Sequence, residues 1–231
     1  MLHYLQNLFH ALDFTSLGSA ALRAAAVLLC LSVHETCHGL AALVLGDPTA
    51  KARHRLSLNP LRHIDWLGLA MMFVAGFGWA KPVPVNPNYF KKPKQGMAVT
   101  ALAGPASNFL LALLAMLISR LIYLYAPYNP VWQTVFDFCL YTVAPLSIGL
   151  GLFNLLPLPP LDGSKVLFSL MSDESYYKLM RYERYGGILM LILVATGVLG
   201  KPLSAAIDAV YAWLVPLAQL ACDGVFYLFF K

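Results

Sequence analysis

Residues 34–38 read His34-Glu35-Thr36-Cys37-His38, two imidazoles four residues apart with a carboxylate beside the first. On a helix, side chains at i and i+4 lie one above the other, so His34 and His38 can share a metal ion. Glu35 then projects about 100° around the helix from His34. That places it near enough to act on a water molecule beside the metal without binding the metal itself. The chain holds six histidines and three glutamates, and chance would produce this HExxH pattern with a probability of roughly 0.002, a poor account of the match. Location adds to the signal, because the motif lies inside an apolar stretch from Ser19 to Leu45. Three ionisable groups at membrane depth cost several kcal/mol unless paired or metal-bound, and such groups point to function. The alternative is a hydrogen-bonded polar cluster that joins helices.

A catalytic zinc usually has three protein ligands and one open position. Asp137, Asp208 and Asp162 are the candidates by composition for the third. Asp162 stands apart because it follows the broken stretch Asn154-Leu-Leu-Pro-Leu-Pro-Pro-Leu-Asp162-Gly163. The prolines at 157, 159 and 160 cannot continue a helix, and irregular backbone at membrane depth is tolerated only where it lines a protein cavity or water. Asp162 is therefore either a ligand or the N-cap of a helix beginning near Gly163; the pattern alone leaves both open.

The elements that must carry these residues are set by an apolar composition. Of 231 residues, 59% are hydrophobic and 12% charged, with a mean hydropathy of +0.67. Soluble domains carry about 25% charged residues, so intrinsic disorder is excluded and an integral membrane protein is expected. Spanning helices need about 20 apolar residues. Ser19–Leu45, Gly96–Tyr125, Val131–Leu156 and Leu203–Phe230 meet that length, and Gly186–Leu199 is a shorter candidate. Ile64–Trp79 is apolar but short and glycine-rich, which suits a re-entrant segment. The first seventeen residues space Leu2, Leu5, Leu8, Phe9 and Leu12 as in a helix lying at the interface.

The net charge of +5 is a topology signal rather than a nucleic-acid footprint, because the basic residues flank apolar segments. With five crossings, thirteen of the sixteen basic residues fall on one side, and only Arg23, Arg120 and Lys201 fall elsewhere. The positive-inside rule then predicts an N-terminus outside and a cytoplasmic C-terminus. If residues 186–199 do not cross, the C-terminus moves outside. The four cysteines, Cys30, Cys37, Cys139 and Cys222, form no CxxC pair, and packing is their expected role.

HExxH in the first apolar segment together with NLLPLPPLDG in a later one resembles the site-2 protease family of intramembrane zinc metalloproteases, in its compact prokaryotic form without PDZ or CBS insertions. Further stretches look like that family: Gly46-Asp47-Pro48-Thr49-Ala50, Leu58-Asn59-Pro60-Leu61-Arg62-His63-Ile64-Asp65, residues 78–86, and Ala103-Gly104-Pro105-Ala106-Ser107-Asn108. The resemblance covers about residues 20–170. One departure is His54-Arg55, where a Gly-Arg pair is more typical. The resemblance implies that His34, His38 and Asp162 bind one Zn2+ and that Glu35 activates the water. It also implies an active-site asparagine at Asn108 that orients the substrate. The plain reading of Asn108 is an amide that joins helices, and Asn154 is read as structural. Pro82 and Pro84 alternate with Val83 and Val85, which reads as an edge strand, a polyproline segment or an interfacial loop. The resemblance suggests a small sheet beside the site that pairs with unwound substrate. His63, His3, His10 and Cys37 are read as bystanders.

The expected architecture is an all-α polytopic membrane protein with about five transmembrane helices, a re-entrant segment and a minor β element. It is organised as one protease domain over 1–231, with a core at 19–170 and C-terminal helices at 186–230. The expected activity is zinc-dependent hydrolysis of peptide bonds in or near transmembrane segments of protein substrates in the lipid bilayer. The rival is a membrane zinc-binding or transport protein, or an inactive relative that holds transmembrane helices without cutting them.

Overall fold

The computed structural model describes residues 17–68, 80–182 and 186–229. The proposed interfacial helix and most of the re-entrant segment lie outside these residues. The described helices are α1 (Leu17–Val44), α2 (Thr49–Ala52), α3 (Pro93–Tyr125), α4 (Pro130–Asp137), α5 (Ala144–Asn154), α6 (Asp162–Ser169), α7 (Asp173–Tyr182), α8 (Gly186–Thr196) and α9 (Gly200–Phe229). A π-helical turn, Phe138–Val143, joins α4 to α5, so Pro130–Asn154 runs as one apolar rod. The protein is therefore an all-helical polytopic membrane protein, with four helices long and apolar enough to cross: Ala21–Val44, Pro93–Tyr125, Pro130–Asn154 and Gly200–Asp223.

Small residues let these helices approach closely. The core they share is built from Ala26, Cys30, Ala112, Ala115, Met116, Val143, Ala144, Ile148, Ile207, Leu214 and Ala218. Lipid tails are as apolar as leucine, so association in a membrane depends on close packing and interhelical hydrogen bonds rather than on hydrophobic burial. Two such bonds hold α9 to its neighbours. Arg120 on α3 forks onto both carboxylate oxygens of Asp223, with its shortest N–H···O contact at 2.8 Å, and Tyr211 donates to the carbonyl of Leu140 at 3.2 Å. Leu140 lies in the π turn, where the changed hydrogen-bond register leaves carbonyls available.

These contacts fix the helix directions. His34 and His38 on α1 meet Asn108 and Thr100 on α3, in that order, so α1 and α3 are antiparallel. Ser147 donates to the carbonyl of Asn108 and Gly151 packs against Pro105, so α3 and α5 are antiparallel too. On α9, Ile207 packs on Gly149 and Tyr211 on Leu140, while Cys222 and Asp223 reach Leu117 and Arg120. Hence α9 runs parallel to α3, and its last turns share a side with the start of α1.

The expectation of two ends on opposite sides rests on residues 186–199 crossing, with both ends outside as the alternative, and these directions bear on that condition. That segment contains α8, which is 11 residues long and rises about 16 Å, roughly half of a ~30 Å hydrocarbon core. Among the described residues the β element is one antiparallel bridge, Ile64 to Ala80, closed by Lys81 N–H donating to the carbonyl of His63 at 2.9 Å.

Candidate metal centre

Three ligand atoms converge between α1 and the start of α6. The Nε2 atoms of His34 and His38 lie 2.9 Å apart, and Oδ2 of Asp162 stands 3.2 Å from the first and 3.1 Å from the second. Ligands about 2.0–2.1 Å from a tetrahedral zinc are separated by about 3.3 Å, so this triangle fits three vertices of such a site. Two imidazole nitrogens and one carboxylate oxygen are also a donor set that zinc accepts. All three residues are buried. Among the described residues, these are the three His, Cys, Asp or Glu side chains grouped closely enough to hold a metal.

Asp162 reaches this position because the chain breaks. After α5 ends at Asn154, the proline-rich segment turns back and α6 begins against the last carbonyls of α5. A Cβ on Gly163 would lie 2.2 Å from the carbonyl oxygen of Leu155, so only glycine permits this approach. The N-cap position of α6 is Leu161 and no side chain caps it. The Asp162 carboxylate is thus turned to the histidines rather than to its own helix, and its other oxygen, Oδ1, faces Lys165 Nζ at 3.5 Å. Asp137 instead accepts from Gln133 on the neighbouring turn of the chain, and Asp208 is exposed on α9.

Glu35, one residue beyond His34 on α1, accepts a hydrogen bond from the backbone N–H of Val83 at 2.8 Å. That segment is held in turn by Arg55, which donates to the carbonyls of Lys81 and Pro82. The prolines at 82 and 84 have no N–H to offer, so Val83 supplies the donor between them. His63 is buried and pairs with the carbonyl of Ser57, and Asn154 donates to the carbonyl of Leu150; both act within their own segments. His3 and His10 lie outside the described residues.

The far side of the imidazoles belongs to α3. His38 Nδ1 donates to the carbonyl of Thr100 at 2.7 Å. The Asn108 side chain, with no exposed surface, stands 3.1 Å from His34 Nδ1. Between them, Gly104 leaves the space that the two rings fill: a Cβ there would lie 2.4 Å from His38 Nε2 and 2.6 Å from His34 Cε1. Thr100, Gly104 and Asn108 recur every four residues and so share one face of α3. Sequence reading located Asn108 but not Thr100, which contributes a backbone carbonyl and carries no side-chain signal. Lys165 was also missed; its spacing of three residues from Asp162 on a helix was the available cue.

Comparison with known proteins gives one family. The model of Peptidase family M50 matches residues 118–200, a stretch that contains Asp162. "Putative zinc metalloprotease YwhC" of Bacillus subtilis (strain 168) is 39% identical over 171 residues, covering 74% of this chain and 78% of that protein. "Putative zinc metalloprotease Rip2" of Mycobacterium tuberculosis (strain ATCC 25618 / H37Rv) is 29% identical over 200 residues, 84% of this chain and 73% of that protein. "Zinc metalloprotease MJ0392" of Methanocaldococcus jannaschii is 30% identical over 111 residues, 47% of this chain and 30% of that protein. No solved structure matches this chain.

Proposed function

The chain belongs to peptidase family M50, the site-2 protease family of zinc metalloproteases, and from that premise we propose that it cleaves peptide bonds in or near the transmembrane segments of other membrane proteins. His34, His38 and Asp162 hold one zinc ion. When bound, zinc supplies Lewis acidity, which polarises the scissile carbonyl and acidifies a nearby water. Glu35 takes the proton from that water as it attacks and passes it to the leaving amine. Asn108 completes the site from behind His34.

The observation that carries this reading is the buried triangle of ligand atoms with 2.9–3.2 Å edges, set beside a carboxylate that is not one of its corners. Lys165 supports it by engaging Asp162 Oδ1, which leaves Oδ2 as the single ligating oxygen. The position of the site also fits: His34 and His38 lie inside a helix long enough to cross the membrane, so a substrate helix can reach them from within the bilayer.

For orientation, the seven basic residues between α1 and α3, with Lys94 in the first turn of α3, set that connection on the cytoplasmic side by the positive-inside rule. With four crossings, the start of α1 and the end of α9 then both lie outside.

The experiment is Glu35→Gln on the full chain in detergent or vesicles. It is expected to retain one zinc per chain and to lose cleavage of a transmembrane substrate by about 10²–10⁴-fold, the usual worth of a general base. Cleavage at the wild-type rate would sink the mechanism. One zinc per chain without any chelator-sensitive cleavage would favour a zinc-binding protein that does not cut.

A further inference from the structure

We propose that Asn108 is a positioning residue for the metal centre: its amide oxygen accepts the Nδ1 proton of His34 and so fixes the tautomer and ring angle with which Nε2 meets zinc. This rests on the reading that His34, His38 and Asp162 hold that ion.

The two histidines are arranged alike. Each turns Nε2 toward Asp162 and Nδ1 toward α3. A neutral imidazole that ligates through Nε2 carries its proton on Nδ1, and this proton needs an acceptor in a buried site. For His38 the acceptor is the carbonyl of Thr100 at 2.7 Å. For His34 the neighbour at 3.1 Å is the amide nitrogen of Asn108, which is a donor. That nitrogen matches a His34 protonated on Nε2, the tautomer that cannot bind metal there. The amide oxygen of Asn108 is buried without a hydrogen-bond partner. Half a turn of the amide therefore breaks no other bond and presents Oδ1 to His34 Nδ1–H. Zinc binding and this amide orientation select each other.

The backbone around Asn108 is fixed, since Ser147 on α5 donates to its carbonyl at 2.9 Å. The amide can turn but the residue cannot withdraw. Partners behind a metal-bound histidine contribute about 10–100-fold in metal affinity, and His34 has no other partner at Nδ1 among the described residues.

The test compares zinc affinity, by competition with a chromogenic chelator, in the full chain and in Asn108→Leu, Asn108→Asp and His38→Ala. Leucine fills the space without an acceptor and is expected to weaken zinc about 10–100-fold. Aspartate keeps an acceptor and is expected to bind zinc at least as tightly as the wild type. In cobalt-loaded protein the visible absorption band should shift in the leucine variant and stay in the aspartate variant. A packing role alone would not produce that split. Wild-type affinity in Asn108→Leu, or equal losses in both variants, overturns the inference. If Asn108→Leu does not fold, Asn108→Asp decides: weaker zinc binding than wild type overturns it. His38→Ala separates the two layers. Loss of zinc there with none in Asn108→Leu removes only the role of Asn108, whereas retained zinc in His38→Ala removes the metal-site reading and this inference with it.

Discussion

Gly104→Ala adds one methyl group at the point where α3 faces both histidine rings. The new Cβ would lie 2.4 Å from His38 Nε2, 2.5 Å from His38 Cε1 and 2.6 Å from His34 Cε1. Non-bonded heavy atoms rest at about 3.5–4.0 Å, so the rings or the helix must move by about 1 Å. The rings cannot absorb this and keep a metal. The crowded atoms lie on the ring edges proposed to ligate zinc, and a working site tolerates about 0.2 Å in each metal–ligand distance. Turning one ring also does not relieve the other. If α3 retreats instead, it loses the Thr100 and Asn108 contacts with the histidines, and overpacking of this kind costs about 1–3 kcal/mol.

The expected result is zinc affinity weakened at least about 10-fold and cleavage reduced about 10²-fold, the cost of misplacing reacting groups by 1 Å. The assay is chelator competition together with cleavage of a transmembrane substrate in vesicles. Gly187→Ala serves as the control, because a Cβ there meets nothing within 4 Å and alanine favours a helix by about 0.5–1 kcal/mol over glycine. A Gly104→Ala protein with wild-type zinc affinity and wild-type cleavage would refute the placement of the two rings against α3.

Three further outcomes follow from the same contacts. Reporter fusions after the last residue of α9 and before α1 should fall on the same side of the membrane; opposite sides would mean that α8 crosses. Asp223→Ala should lower stability by about 1–3 kcal/mol, because Arg120 is left charged and unpaired near the membrane boundary, and Arg120→Lys should recover only part of the fork; an unchanged unfolding temperature in both would remove the pair from the account of α9. Asp47, fully buried, is subject to burial that raises its pKa, but the hydroxyl and backbone N–H of Thr49 and the backbone N–H of Asn86 outweigh it and hold the carboxyl below its usual value. A depressed folded pKa contributes stability above the unfolded value, about 3.9, and loses it as pH falls through the folded one. Asp47→Asn should therefore be less stable than wild type at pH 7 by a margin that closes below about pH 4; a margin that widens on acidification would show the sign to be wrong.

The parts of the site legible in the sequence are those in which helical periodicity acts on side-chain chemistry. Two histidines four residues apart on an apolar helix predict a shared face, and the structure has one. The local pattern left Asp162 as a pair of alternatives, cap or ligand, and only the family resemblance implied a ligand. The choice depends on where α6 begins relative to α5, and Gly163 against the Leu155 carbonyl sets that. Gly104 was visible as part of the family-like stretch Ala103–Asn108; what approaches it is a pair of imidazoles from α1, which no local pattern encodes. His54 read as a departure from an expected glycine, and it holds a positive φ of 53°. The backbone there has kept the glycine conformation in a residue type that tolerates it better than most.

Topology was illegible for a different reason. If α8 does not cross, Lys201 joins the basic side and Lys231 leaves it, so thirteen of the sixteen basic residues still share one side. The positive-inside rule gives the same count for both arrangements and cannot choose between them. What the structure adds is the direction of α9 relative to α3, carried by a charged pair within the helices. A guanidinium fork reaches its carboxylate only at about 2.7–2.9 Å, and Arg120 sits five residues from the end of α3, so Asp223 must lie at that same end. Tyr211 and Ile207, reaching Leu140 and Gly149, hold the earlier turns of α9 in the matching order. Short-range contacts thus give the direction of a helix to which the sum of all surface charges is indifferent.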